Sequence, residues 1–134
     1  MRVSTRYGLA GIGALGLLTT VHWLRDLAWS LPGIADYLIG VIPNFAAAVA
    51  IIFVLLSIWS DQNRDADSAS LNRALRVSAS ISGAGLLCWE LFQRMSHRLV
   101  FDLHDIVATL VGVGTAYILF YLLTPRSNPD HNRE

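Results

Sequence analysis

The chain has no lysine. Its ten basic side chains are all arginine, and ten Asp and Glu balance them. The missing lysine says nothing about function, but the balance does. With a formal net charge of zero there is no basic footprint for nucleic acid and no acidic one for a cationic partner. A second cysteine is also missing. Cys88 therefore makes no intrachain disulfide, and within an apolar run it is expected as a small buried hydrophobe. HxxxH, HExxH and Glu-x-x-His patterns are absent, so no metal site is expected. No Ser and His form a recognisable nucleophilic motif, and no cofactor is called for. There is no internal repeat, no low-complexity segment, and no loop long enough for a separate soluble domain.

Apolar residues are abundant. They make up 54% of the chain, and the mean hydropathy is +0.48. They cluster in four windows, roughly 7–24, 38–60, 74–95 and 103–124. Each approaches the ~20 residues that a helix needs to cross a bilayer. The pattern predicts an all-α polytopic membrane protein, a bundle of four transmembrane helices in one domain over 1–124. Residues 125–134 are expected as a disordered cytoplasmic tail. The lipid bilayer is the first partner implied.

The first window resembles a signal peptide, with Arg2 and Arg6 ahead of GLAGIGALGLLTTV and a weak Ala28-Trp29-Ser30 cleavage pattern. Arg25 and Asp26 argue against cleavage, so this helix is expected to be retained. Its Gly8, Gly11, Gly13 and Gly16 allow close backbone approach, and Gly8, Gly11 and Gly16, near one another on the wheel, read as a packing face. Pro43 falls in the first turn or two of the second window, where proline is best tolerated. Asn44 then either caps that helix or turns its amide into the bundle. The polar stretch 60–73 reads as a solvated turn; Asp61, Asp65 and Asp67 lack the spacing of a calcium loop.

Arginine also gives an orientation. Arg2, Arg6, Arg64, Arg73, Arg76, Arg126 and Arg133 fall on one side, against Arg25, Arg94 and Arg98 on the other. Positive charge accumulates in the cytoplasm, so both termini are expected there, in a plasma membrane. His22, Arg25, Asp36, Asn44, Glu90, Gln93, Arg94, His97, Asp102, His104 and Asp105 then gather near the outer surface.

The richest stretch is 86–112. Glu90, Gln93, Arg94 and His97 share one helical face, and Asp102, Asp105, Thr109 and Gly112 form a stripe on the next helix. The candidate polar site is Glu90, Gln93, Arg94, Asp102, Asp105 and Asn44. A charge deep in a spanning helix costs about 2.5–3.5 kcal/mol on insertion scales, so Glu90 needs a partner or a proton. Arg94 stands at the favourable i,i+4 spacing, which leaves a structural ion pair as the rival reading. Asp102 or Asp105 can likewise serve as a helix cap.

Glu90-x-x-Gln93 followed by Phe101-Asp102-x-x-Asp105-Ile106-x-Ala108-Thr109-x-x-Gly112 resembles the C-terminal half of VanZ-like membrane proteins. Pro43-Asn44-Phe45-x-Ala47 is similar to a helix start in shorter members. His104 departs from a position that is often aromatic there. The resemblance covers about half of the chain. It implies a bacterial integral membrane protein of the cell envelope with Glu90, Gln93, Asp102 and Asp105 as characteristic residues, and no settled activity. Three functions follow as expectations. The first is an outward pocket for a polar head group or drug-like small molecule; the second is a non-catalytic accessory subunit of a larger membrane complex. The third, an enzyme acting on a lipid-linked substrate, ranks below these two.

Overall fold

The structure, a computed structural model, describes residues 1–27, 33–95 and 103–125, with the side chains of 93–95 excepted. It is all-helical over this range, with α1 (Val3–Asp26), α2 (Gly33–Gln62), α3 (Ser68–Met95) and α4 (Leu103–Leu123). Three of these, α1, α2 and α4, are long and apolar enough to cross a membrane. α3 is less apolar. Its inward stripe holds Ser78, Ser82 and Glu90, and its first turns carry Asn72, Arg73 and Arg76.

α2 is the axis of the bundle. It packs on α1, α3 and α4, whereas α1 and α3 make no close approach among the described residues. Its Ala46, Ala48 and Ala50 are buried, and small residues let helix backbones approach in lipid. Ile52, Phe53 and Leu56 continue the buried face toward a cluster with Tyr7, Leu75, Ala79, Ala116 and Phe120. Within it Tyr7 stacks on Phe120 and tilts against Phe53, each at 5.8 Å between ring centroids.

Polar ties fix the antiparallel order. Ser57 Oγ, late in α2, donates to the Ser4 carbonyl at 2.9 Å. The first and last helices are clasped at the same end. Arg6 donates to the Leu123 carbonyl at 3.1 Å, and the Tyr7 and Thr124 hydroxyls lie 2.6 Å apart.

The glycines divide. A methyl at Gly112 would meet the Phe45 carbonyl oxygen at 2.6 Å and Ala48 Cβ at 2.9 Å, so α4 rests almost directly on the α2 backbone. Gly8 and Gly11 face Ser57 and Val54 of α2 at 3.1 Å. Gly13 and Gly16 face open space, so of the expected α1 packing face Gly8 and Gly11 are used among the described residues and Gly16 is not.

Three expectations are corrected. α2 begins at Gly33 rather than near 38, with Asp36 in its first turn, where the helix dipole favours a carboxylate. Pro43 and Asn44 are therefore interior, and Asn44 is not a cap. The polar stretch 60–73 is mostly helical: α2 runs to Gln62, and Asp67 starts α3 by accepting the Ser70 N–H at 2.9 Å. Ser70 holds the Asp67 carboxyl below its usual range. Cys88 is exposed, not buried. Residues two apart on a helix point to nearly opposite sides, so turning Glu90 inward turns Cys88 out.

Candidate functional site

At the end of the bundle away from the clasp, the first half of α2 meets the end of α3 and the start of α4. Glu90 is 1% exposed there, although it lies only five residues before the end of α3. The inward stripe Leu75, Ser78, Ala79, Ser82 carries it toward α2. Ser82 Oγ donates to the Ala48 carbonyl at 3.2 Å, and one α2 turn further along Asn44 Nδ2 donates to Glu90 Oε1 at 3.3 Å. Asn44 follows Pro43, whose missing N–H would otherwise serve the Ile39 carbonyl. Non-ideal backbone of this kind is tolerated in membrane helices where neighbours surround it.

α4 supplies the third wall. Its buried stripe is Ala108, Thr109, Gly112, Ala116 and Phe120. Thr109 Oγ1 donates to the Asp105 carbonyl at 2.9 Å, and Gly112 presses on Phe45, the neighbour of Asn44. Asp105 stands half-buried in the first turn, at the positive end of the helix dipole. His104 is exposed and sets its ring edge-on to Tyr37 of α2 at 5.3 Å. Glu90, His104 and Asp105 each make a further interaction with a neighbour.

Of the residues predicted for the site, Asn44 and Glu90 are brought into direct contact, and Asp105 opens the α4 stripe at the same end. Gln93 and Arg94 are on α3, but their side chains lie outside the described residues, as do His97 and Asp102. The expected Glu90–Arg94 pairing therefore lies there too. His22, Arg25 and Asp36 are exposed, and His22 Nδ1 turns back to the Leu18 carbonyl at 3.0 Å. Among the described residues no three His, Cys, Asp or Glu gather as a metal site.

Tyr37 was missed by the sequence reading, which placed it in the connection before α2. Asp36 as a first-turn acid was the signal that could have found it. Chemically the arrangement offers a buried carboxyl oriented by an amide, with a second, half-buried carboxyl on the adjacent helix. Such a set accepts hydrogen bonds from cationic or hydroxyl groups. No family model, curated protein or solved structure matches the chain.

Proposed function

We propose that the chain is a VanZ-like protein of the bacterial cell envelope whose outward-facing polar pocket binds a polar head group or drug-like small molecule. In this reading four helices cross the plasma membrane, with both termini in the cytoplasm. The observation that carries it is the buried Glu90 carboxyl, which accepts a part-buried hydrogen bond from Asn44 between α2 and α3. Ionisable groups inside a membrane are costly and mark functional sites by default. Asp105 would receive the ligand's cationic or hydroxyl group, Glu90 and Asn44 would orient it, and Gln93, Arg94 and Asp102 would complete the rim.

The exposed apolar face of α3, which includes Val77, Ile81, Trp89, Leu91 and Phe92, supports the four-span reading. Cys88 on that face is the chain's sole thiol and reports on it. In sealed or opened membranes it should resist a charged maleimide, and it should react fully once the protein is denatured in detergent. Rapid labelling in opened membranes would mean that α3 lies outside the bilayer.

The pocket is tested by mild-detergent purification of the wild type and Asp105→Asn from the same cells. The wild type should carry a co-purifying polar lipid or small molecule, identified by mass spectrometry. Asp105→Asn should accumulate equally and lose it. Failure of the variant to accumulate would assign Asp105 a structural role. A stoichiometric protein partner in place of a small molecule would support the accessory-subunit reading. The uncovered Gly13, Gly16 and Gly114 favour that second reading, since a methyl there would meet nothing within 4 Å.

A further inference from the structure

The clasped end of the bundle carries a second feature, independent of the Glu90 reading. Between the last turns of α2 and the first half of α3 runs a groove of about 490 Å³. Leu55, Ile58, Trp59, Val77 and Ile81 make its walls apolar, and Gln62, Ser70 and Arg73 line it toward the bundle end. From Arg73 to Ile81 it follows α3 for about 12 Å, at 1.5 Å per residue. Arg73 also lines an adjoining notch between α3 and α4, together with Arg76, Asn72 and Tyr121. Asn72 organises that notch: its side-chain oxygen accepts the Tyr121 hydroxyl and its carbonyl accepts Arg76 Nε, both at 3.4 Å.

The two guanidinium groups are exposed. Among the described residues no carboxylate lies within ion-pair distance of either. Asp67 feels Arg73, but its oxygen is engaged by the Ser70 amide. An elongated apolar trough that ends at Arg73, with Arg76 in the adjoining notch and no carboxylate in ion-pair contact with either among the described residues, matches an amphiphile with an anionic head. Trp59, three residues before the end of α2, lines the groove, and aromatic rings of this kind are enriched at membrane interfaces. A wholly apolar partner helix would fill the trough but bring no anionic group to the two arginines.

We propose that this groove binds an anionic phospholipid, with an acyl chain in the trough and its phosphate held by Arg73 and Arg76.

The test is a titration of the full-length protein in nonionic detergent with dioctanoyl phosphatidylglycerol, read as an apparent Kd from thermal stabilisation. Dioctanoyl phosphatidylcholine should bind at least tenfold more weakly. Arg73→Gln should weaken phosphatidylglycerol binding about fivefold and Arg73→Gln/Arg76→Gln about thirtyfold, the scale of basic residues at an anionic surface. Arg64→Gln removes an equal charge at the same end, outside the groove, and should leave the Kd unchanged. Val77→Trp fills the trough, keeps both cations and should also abolish binding. Equal affinity for the two lipids, or an equal loss in Arg64→Gln, would overturn the proposal in favour of diffuse electrostatics. Unchanged binding in Val77→Trp, or inorganic phosphate competing as tightly as the lipid, would overturn the acyl-chain site.

Discussion

Gly112→Ala should destabilise the bundle by about 3 kcal/mol, near the upper end for forcing one methyl into a packed interior. The reason is what the methyl would meet. The Phe45 carbonyl oxygen at 2.6 Å is backbone and cannot rotate away, and Ala48 Cβ stands at 2.9 Å. α4 would have to lift off α2. Gly114→Ala is the internal control, two residues along the same helix with nothing within 4 Å. It should be neutral or stabilising by up to about 1 kcal/mol, because alanine is the better helix former. The pair is measured by thermal or SDS unfolding in micelles. Equal effects would mean that α2 and α4 are further apart than these distances require. Gly112→Ala should also disturb the site, since Phe45 adjoins Asn44 and Gly112 continues the stripe that starts at Asp105.

A double-mutant cycle on Asn44 and Glu90 should give the second large effect. Interhelical hydrogen bonds in membranes average only about 0.6 kcal/mol. The Asn44–Glu90 pair should exceed this, because removing the amide leaves a buried carboxyl acceptor short of a donor, at a cost of about 2 kcal/mol. Asn44→Leu alone should therefore be more damaging than Asn44→Leu in a Glu90→Leu background, where both polar partners are gone. The coupling is read as unfolding free energy in micelles. Strict additivity would mean that the contact carries no energy of its own. Glu90→Gln keeps the shape and an acceptor for Asn44, so it should fold well, and any loss of ligand in it reflects chemistry.

The helices were legible because long apolar runs are stable in few settings besides a bilayer. Glu90 and Asn44 stood out for the converse reason, as polar groups where hydrocarbon is expected. Which face of each helix turns inward was harder to read. In a membrane bundle both the lipid side and the core side are apolar, so Cys88 on the outside and Leu75 on the inside look alike in sequence. Glycine has the same ambiguity: Gly11 and Gly13 are both small residues in one run, yet only Gly11 meets α2. The start of α2 is harder to place, because Pro32 and Gly33 read as turn signals, Asp36 interrupts the apolar run, and Pro43 suits a first turn. Asp36 is instead a favourable first-turn acid, and Pro43 is an interior proline accommodated among neighbouring helices. The Arg6–Leu123 and Tyr7–Thr124 contacts join residues 117 apart, and no local pattern announces such a pairing.

Those two contacts also bear on how the protein is made. Arg6 and Tyr7 leave the ribosome long before Leu123 and Thr124, which are not synthesised until the fourth helix is complete. α1 can settle against α2 as soon as both are inserted, through Gly8, Gly11 and Ser57, but its lateral closure onto α4 must wait. α3 has no surface of α1 to dock on in the interval. Until the last helix arrives, the side of α2 that α4 will cover remains open to whatever shares the membrane, a chaperone or another copy of the nascent chain included.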